Sequence, residues 1–371
     1  MIADTKVILQ KALRGQYAVG AFNVNNLEFI QAVVAAAERA RAPVILQTSE
    51  GAIQYAGMEE LVALMRLAAR CAQVPIGIHL DHGKNLDLVR TAIGSGYTSV
   101  MYDGSALPYA ENVANTKKVV KWARAKGVAV EAELGAITGV EDLISVAERD
   151  AAFTNPEQAL NFVKQTGCDF LAVAIGTAHG AHKSEQRPTP SNSPSSSEAR
   201  SRFAGQEGEK KNSFPPSPLS ASDESAVGGE GGRPVPTGTS GGGVGITLDI
   251  PRLRRIHALL PKIPLVLHGA SSVPEELIGE TEMYCSMLGD CKRLGGAVGI
   301  PDKQIRTAIA GGIAKINTDT DLRIAFVAGL REAIIEQLKE IDPRKLLAPA
   351  RQKIQEIVEQ RIRVFGSHKK A

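Results

Sequence analysis

Hydrophobic positions along the chain fall into short apolar runs that alternate with longer amphipathic stretches. Eight runs are too short for a helix, and several are rich in Val and Ile: YAVGAFNV, PVILQTS, PIGIHLDH, TSVMYDGS, VAVEAELG, FLAVAIGTAHG, PLVLHGAS and IAKINTDT. The stretches between them, such as NLEFIQAVVAAAERA, repeat apolar residues at helical spacing. Some begin at a typical cap, as at Asn26 or at Asn155 before Pro156. The pattern therefore predicts strands that alternate with helices.

Eight such units favour an α/β fold of the (β/α)8 TIM-barrel type, because eight parallel strands close a barrel. A doubly wound open sheet is the alternative, although no GxGxxG motif follows the first strand. The first 16 residues, MIADTKVILQKALRGQ, predict an amphipathic helix rather than a signal peptide, because acidic and basic residues are mixed in them. We expect residues 1–183 and 246–371 to form a single barrel domain.

Residues 184–245 differ in composition from the rest of the chain. Ser, Pro and Gly account for 32 of these 62 residues, and few large apolar side chains are present. Such a segment buries too little apolar surface to offset the entropy cost of ordering it. We therefore predict a low-complexity, disordered insertion in the loop that follows the sixth strand.

Composition excludes several classes of protein. The net charge is +3 and no basic stripe is interleaved with aromatic residues, so nucleic acid is not expected as a partner. No run approaches the roughly 20 apolar residues of a membrane span, so no membrane association is expected. The four cysteines form no CxxC pair and imply no disulfide framework, which fits a reducing, cytoplasmic location.

Polar residues stand at the C-terminal end of nearly every predicted strand, where the loops of a barrel build its active site. Among them are His82, His179 and His268, each followed by Gly, after strands 3, 6 and 7. An isolated histidine is more often a packed core residue than a ligand. Three at equivalent positions, however, match the catalytic zinc arrangement of three imidazoles and one open position.

Two further loops have the composition of anion sites. LHGASS follows strand 7 with Gly269, Ser271 and Ser272, and KINTDTDLR follows strand 8 at the start of a helix. Backbone N–H groups and the helix dipole often hold phosphate at this position in barrels. The pair of loops therefore predicts a phosphate-bearing ligand.

With these motifs in place, the chain resembles the class II, metal-dependent ketose-bisphosphate aldolases. The matching stretches are AFNVNNLE, HLDHG, MYDGS, EAELGAITGVED, AVAIGTAHGAHK, LHGASSVP, KINTDTDLR and DPRKLLAPAR. They span the chain except for the predicted insertion. The resemblance implies a lyase that reversibly cleaves fructose 1,6-bisphosphate to dihydroxyacetone phosphate and glyceraldehyde 3-phosphate through a zinc-stabilised enediolate, in glycolysis or gluconeogenesis. Tagatose 1,6-bisphosphate is the alternative substrate, because it differs only in stereochemistry at C4.

The resemblance also implies roles for individual residues. Asp81 would exchange a proton with the C4 oxygen, and Glu141 would handle the proton on the dihydroxyacetone phosphate carbon. The zinc, or Co2+ in its place, would be held by His82, His179 and His268, with Glu133 as an alternative ligand. The substrate would contact Ser49, Gly180, Lys183, Gly269, Ser271, Asn317, Asp319, Thr320, Arg323 and Arg344. Arg344 would reach the site of a neighbouring subunit, which implies a homodimer or homotetramer.

Some features depart from the family pattern or leave alternatives open. Val140 stands where a polar residue is common, which puts the family's monovalent-cation site in doubt, and His182 stands where an aromatic residue is usual. A metal-dependent barrel hydrolase or epimerase would use the same histidines, but would have carboxylates where Asn23 and Asn317 stand. An inactive scaffold barrel would show gaps in the metal-binding set. Lys315 on strand 8 would be a candidate nucleophile in a Schiff-base enzyme, a role that the three histidines argue against.

Overall fold

A computed structural model of the chain describes residues 1–135, 138–141, 144–146, 153–179, 247–289 and 299–371. For 138–141, 144–146 and 178–179 only the backbone is described. The strands are β1 (Val19–Asn23), β2 (Val44–Thr48), β3 (Ile76–Gly83), β4 (Ser99–Tyr102), β5 (Ala129–Leu134), β6 (Thr138–Glu141), β7 (Ile144–Val146), β8 (Phe170–Val173), β9 (Ala178–His179), β10 (Leu265–Leu267) and β11 (Ile313–Thr318). The helices are α1 (Thr5–Arg14), α2 (Leu27–Ala40), α3 (Glu50–Ala56), α4 (Met58–Cys71), α5 (Leu86–Ser95), α6 (Tyr109–Arg124), α7 (Pro156–Thr166), α8 (Ile250–Leu259), α9 (Glu275–Leu288), α10 (Asp302–Ala310), α11 (Thr320–Glu336), α12 (Pro343–Leu346) and α13 (Ala348–Val364).

Eight of the strands pair in parallel and close into a barrel. Their order around the barrel is β1-β11-β10-β8-β5-β4-β3-β2, returning to β1. Each of these strands falls within one of the eight apolar runs of the sequence. The prediction of a (β/α)8 barrel is confirmed, and the alternative of an open sheet is wrong because the first and last strands pair with each other.

The interior of the barrel is apolar at one end and polar at the other. Inward-facing residues such as Val19, Ile45 and Phe170 form a cluster with Ile8 and Leu9 of α1. This confirms the predicted amphipathic helix at the start of the chain, which covers the N-terminal ends of the strands. The buried polar residues stand towards the other ends of the strands, where the loops that precede the helices begin.

The helices begin where the sequence places caps. The Asn26 side chain accepts a hydrogen bond from the backbone N–H of Phe29, and the Asn155 side chain caps α7 in the same way with Pro156 in the first turn. After the predicted insertion, Asp249 caps α8 by accepting from the N–H of Arg252. The barrel pattern therefore resumes at α8, as the sequence predicted.

A second, three-stranded sheet was not predicted. β6 pairs antiparallel with β7 and parallel with β9, so that Gly139 is opposite His179. These strands have two to four residues, too few for an alternating pattern to be visible in the sequence. The sheet brings the backbone of Glu141 and that of His179 into one structural unit.

The prediction about the insertion falls outside the described residues. Residues 184–245 are not described, so their disorder stays a prediction. The described residues all belong to one compact unit. Within them, no helix combines the length and the apolar composition that a membrane crossing requires.

One cysteine is disulfide-bonded, although the sequence implied no disulfide framework. This cysteine is Cys285 in α9. Cys71 and Cys168 are free thiols. A search for CxxC pairs does not find such a bond, because disulfide formation depends on how closely two backbones approach in space.

Candidate active site

The end of β3 turns His82 into the barrel. Alternation places Ile78 and Leu80 in the apolar layer that packs against the helices, and it places Asp81 on the inner face. His82 would by the same alternation face outward. Instead its φ is 47°, and the pairing of β3 with β4 shifts register just here. This left-handed conformation costs about 1–2 kcal/mol for a residue with a Cβ, and it brings the imidazole beside Asp81 at the rim.

The glycine after His82 has a packing function. A Cβ on Gly83 would lie 2.8 Å from the carbonyl oxygen of Met101 and 2.6 Å from the Val89 side chain. Gly83 thus permits a close approach of two neighbouring strands. Gly269, which follows His268, has a φ of 60° and serves a turn instead.

Two imidazoles at the rim are each held by a buried carboxylate. Nδ1 of His82 lies 3.0 Å from Oδ2 of Asp103, and Nε2 of His268 lies 2.8 Å from Oε1 of Glu131. An ionised carboxylate only accepts hydrogen bonds, so each of these nitrogens carries the proton. The other nitrogen of each ring is then a lone-pair donor. Carboxylate–histidine pairs of this kind orient metal ligands in proteins.

The two remaining nitrogens face each other. Nε2 of His82 lies 2.8 Å from Nδ1 of His268, and both rings are buried. The side-chain amide of Asn317 donates to Nδ1 of His268 at 3.1 Å and to Oδ1 of Asp81 at 2.9 Å. Two ring nitrogens this close share either a proton, as a hydrogen bond, or a metal ion that both coordinate. Ligand atoms of Asp81, His82 and His268 all lie within 4.8 Å of one another, so this set fits a divalent metal.

The surrounding charges favour a cation. Burial lowers the pKa of His82, but the carboxylates of Asp81, Asp103 and Glu133 outweigh it and raise that pKa to about 10. Burial raises the pKa of Glu133 well above its usual value, and the charge of Asp103 adds to the effect. Burial also disfavours the charged form of Asp103, yet the hydrogen bond from His82 leaves the pKa of Asp103 below its usual value. Without a metal, the site holds a proton where the cation would bind.

Glu133 lies on the opposite side of the His82 ring from the facing nitrogens. Its Oε2 is 3.7 Å from Nδ1 of His82, and within the described part of the chain this oxygen has no hydrogen-bond partner. Ligand atoms of His82, Asp103 and Glu133 form a second group within 4.8 Å. This group lies on the protonated Nδ1 side of His82, so the role of Glu133 as an alternative ligand stays a prediction.

Three amides hold the Asp81 carboxylate. Its Oδ2 accepts from Asn23 at 3.0 Å and from Gln47 at 3.2 Å, and its Oδ1 accepts from Asn317. Gln47 also donates to Oδ1 of Asn23 at 2.6 Å. The carboxylate is therefore fixed in orientation beside the facing histidines, as a proton-transfer group must be.

The structure also shows where the predicted phosphate-loop residues lie. Ser49 caps α3, and Ser271 is buried after β10. Asp319 precedes α11, whose first residue Thr320 is also buried. Arg323 forms a two-point ion pair with Asp319, from Nε to Oδ1 and from Nη2 to Oδ2, both at 2.8 Å.

Arg344 is separate from the buried set. Its guanidinium is 88% exposed and pairs with Asp342 at 2.7 Å. This pairing stands in α12 and its cap, outside the buried polar cluster. Within this single chain, nothing described brings Arg344 into contact with the histidines.

Several predicted residues lie outside what is described. The backbone of His179 and that of Glu141 are described, but their side chains are not. Gly180 and Lys183 lie outside the described residues. The roles proposed for these four therefore remain predictions.

Some buried polar residues of the site were not assigned from the sequence. No role was assigned from the sequence to Glu131, Gln47 or Asp103, and Asn23 was singled out only as a position without a carboxylate. Glu131 stands two residues before Glu133, so both carboxylates share the inner face of β5. Two acidic residues at that spacing in an apolar strand are the signal that would have found it.

Lys315 is not available as a nucleophile. It is fully buried, and its Nζ lies 2.9 Å from Oε2 of Glu131. An ammonium paired with a carboxylate in this way has no lone pair with which to attack a carbonyl group. The geometry agrees with the argument that the histidines, and not a Schiff base, carry the chemistry.

Comparison with known proteins supplies the family. A family model described as "Fructose-bisphosphate aldolase class-II" matches residues 3–192 and 235–370. The chain belongs to the class II fructose-bisphosphate aldolase family. It is 43% identical over 367 residues to a fructose-bisphosphate aldolase of Thermus caldophilus, covering 99% of each chain. It is 36% identical over 371 residues to that of Helicobacter pylori strain 26695, covering 100% of each.

The chain is also similar to a solved aldolase structure. The YdjI aldolase from Escherichia coli K12 superposes with a TM-score of 0.66 at 27% identity, and the match covers 100% of both chains. Class II aldolases are metal-dependent and act on phosphorylated sugars. The facing imidazoles and the surrounding carboxylates of this chain fit such a metal.

Metal binding should release a proton. Because the pKa of His82 is raised to about 10 without metal, its ring is protonated at neutral pH and must lose that proton to coordinate. Apparent metal affinity should therefore rise with pH, by up to about tenfold per unit between pH 7 and pH 9. Calorimetric titration of zinc in buffers of different ionisation enthalpy measures the proton count. Release of no proton at pH 7 would contradict the proposed protonation state.

Proposed function

We propose that the chain is a cytoplasmic zinc-dependent lyase that reversibly cleaves fructose 1,6-bisphosphate to dihydroxyacetone phosphate and glyceraldehyde 3-phosphate. The observation that carries the proposal is the pair of facing imidazoles of His82 and His268 beside the fixed carboxylate of Asp81. Membership of the class II family supports it. His179 is the proposed third ligand, and Glu133 an alternative one.

The cleavage reaction needs two kinds of group. When bound, the divalent metal supplies a Lewis acid that stabilises negative charge on the substrate oxygens next to the bond that breaks. Asp81 takes the proton from the C4 hydroxyl as the C3–C4 bond breaks, and returns it in the reverse reaction. Asn23, Gln47 and Asn317 keep that carboxylate in place. Glu141 is proposed to exchange the proton on the carbon of dihydroxyacetone phosphate.

We propose that the two loops after β10 and β11 bind phosphate together with residues from other parts of the chain. For the dihydroxyacetone phosphate half we propose Gly180, Lys183, Gly269, Ser271, Asn317, Asp319 and Thr320, and for the other phosphate Ser49, Arg323 and Arg344. Ser271, Asp319 and Thr320 are buried near the ends of the loops, which supports an enclosed site.

The direct test is an assay with two sugars. Purified protein is given fructose 1,6-bisphosphate or tagatose 1,6-bisphosphate, and triose phosphate formation is followed. We expect the fructose sugar to have the higher kcat/KM. A preference for the tagatose sugar would assign the alternative substrate, and no cleavage of either would overturn the proposed function.

We propose that the chain acts as a homodimer or homotetramer. Leu338 and Ile341, which stand just before α12, are 81% and 91% exposed. They are close in sequence to Arg344, the residue proposed to reach a neighbouring subunit. An apolar surface beside an arginine that lacks a site in its own chain supports assembly. Light scattering on the purified protein measures the assembly mass, and a monomer mass would contradict this proposal.

We propose that residues 184–245 are a disordered insertion outside the barrel. The family model leaves residues 193–234 unmatched, which supports this position. Deleting 193–234 should preserve the fold and change the free energy of unfolding by only about 1 kcal/mol, because each halving of a flexible loop recovers about 0.6 kcal/mol. Thermal melting and the cleavage assay check both. A melting temperature lower by many degrees would show that the segment packs against the barrel.

A further inference from the structure

A buried ion pair lies one hydrogen bond away from the proposed metal site. Nζ of Lys315 is 2.9 Å from Oε2 of Glu131, and both side chains have no exposed surface. The cost of desolvating two charges commonly cancels their attraction, so such a pair is weak support for stability. Its place in the barrel therefore suggests a role in the site.

The two oxygens of Glu131 face different partners. Oε1 accepts from Nε2 of His268 at 2.8 Å, and Oε2 accepts from Lys315. Nε2 of His79 lies 3.5 Å from Oε2, and Nδ1 of His79 is hydrogen-bonded to Ser99 at 2.8 Å. Glu131 is thus the only group that the structure places between Lys315 and His268, among the residues it describes.

We propose that Lys315 and Glu131 are positioning residues that fix the tautomer of His268. This inference rests on the proposed function, because it assumes that Nδ1 of His268 is a metal ligand. Lys315 offers only N–H donors, so the atom that faces it must accept. A carboxylate accepts at both oxygens. Its other oxygen then accepts from Nε2–H of His268, and Nδ1 keeps its lone pair on the side of His82.

Donors and acceptors follow a fixed order from Lys315 through Glu131 to His268, so Glu131→Gln tests whether this order sets the tautomer of His268. The amide has the same shape as the carboxylate but one donor end and one acceptor end. Lys315 attracts the carbonyl oxygen, which leaves the amide NH2 facing Nε2 of His268. That arrangement needs a lone pair on Nε2 and a proton on Nδ1. The wrong tautomer then faces the metal.

Removing the lysine as well should reverse the effect. In Glu131→Gln/Lys315→Met no donor faces residue 131 from the Lys315 position, so the amide is free to turn its carbonyl oxygen to His268. We expect zinc affinity, measured by competition with a chelator, to fall 10- to 100-fold in Glu131→Gln and to recover at least in part in the double variant. If both residues were merely structural, the double variant would lose more zinc affinity than Glu131→Gln alone.

A second readout reports the tautomer itself. In protein labelled with 15N-histidine, zinc-loaded wild type should show His268 protonated at Nε2 and metal-bound at Nδ1, with His268→Asn used to assign its signals. Metal-free Glu131→Gln should show the proton at Nδ1, and the double variant should return to the wild-type pattern. Nε2–H retained in Glu131→Gln would overturn the proposal even if the double variant failed to fold.

Lys353→Met is the matched control. Lys353 pairs with Glu280 at 2.7 Å and Glu332 at 3.0 Å on the helical layer, so it loses the same kind of ion pair. Its zinc affinity should equal that of wild type. Equal weakening in Glu131→Gln and in the double variant, or no weakening in either, would contradict the inference. Wild type that binds zinc with the expected tautomer but cleaves no sugar would overturn the proposed function alone.

Discussion

We expect removal of the metal to abolish sugar cleavage, and addition of Zn2+ or Co2+ to restore it. The expected loss is complete within the sensitivity of the assay, because no lysine of the described site can replace the metal through a Schiff base. Lys315, the one buried lysine beside the histidines, is held by Glu131 at 2.9 Å. The measurement is the cleavage rate after dialysis against EDTA, with metal content determined separately, and then again after addition of each metal.

The metal-free protein should remain folded. The ligands stand at the rim, and the apolar cluster of α1 with the inner faces of the strands does not depend on them. Thermal melting before and after EDTA checks this. His268→Asn should lose metal and activity together, whereas His257→Gln on α8 should keep both. Unchanged cleavage by protein shown to be free of metal would overturn the class II chemistry for this chain.

The barrel could be predicted from the sequence because each of its strands has a recognisable local pattern of apolar residues. A short apolar run followed by an amphipathic helix repeats along the chain, several of the helices begin at a cap, and parallel connections leave few ways to arrange eight such units. The small sheet of β6, β7 and β9 could not be predicted, because its strands have two to four residues and β9 pairs with a strand far from it in the chain. The disulfide of Cys285 was missed for a related reason, since it depends on distance in space.

The candidate site likewise contains residues that could be predicted from the sequence and residues that could not. His82, His268 and Asp81 were visible because each follows a strand and matches a family motif. Glu131 and Gln47 were not, because the spacing of polar residues within one strand shows which face they share and does not show their partners across the barrel. His82 shows most clearly what strand alternation fails to predict. Strict alternation turns it outward, and only the left-handed φ of 47° reveals that it faces His268. The tautomers likewise follow from contacts that no spacing encodes.

Asp81→Asn is expected to lower kcat by about 10^2- to 10^4-fold, the usual contribution of a general acid or base. The amide has the shape of the carboxylate and leaves the histidines unchanged, so the fold and the metal should be retained, with the new NH2 group facing one of the amides that hold Asp81. It cannot accept the proton of the C4 hydroxyl. Asp81→Ala should lose as much activity, but it also leaves the amides of Asn23, Gln47 and Asn317 without their acceptor. The asparagine variant is therefore the cleaner test.

The control for this change is Asp4→Asn. It makes the same substitution at the cap of α1, where Asp4 accepts from the N–H of Lys6 and where asparagine caps equally well. Its kcat and zinc content should match those of wild type. Thermal melting and metal analysis of both variants then separate a loss of chemistry from a loss of fold.

A second measurement separates Asp81 from Glu141. If Asp81 serves only the C4 hydroxyl, Asp81→Asn should still exchange the carbon-bound proton of dihydroxyacetone phosphate with solvent, because that step involves no C4 oxygen. NMR in D2O follows the exchange without any aldehyde present. Loss of cleavage with the exchange retained would show that Asp81 serves the C4 hydroxyl and that another group serves the carbon-bound proton. An Asp81→Asn enzyme that cleaves sugar within a few-fold of the wild-type rate would instead move the C4 proton transfer to another group, with Glu141 the first candidate.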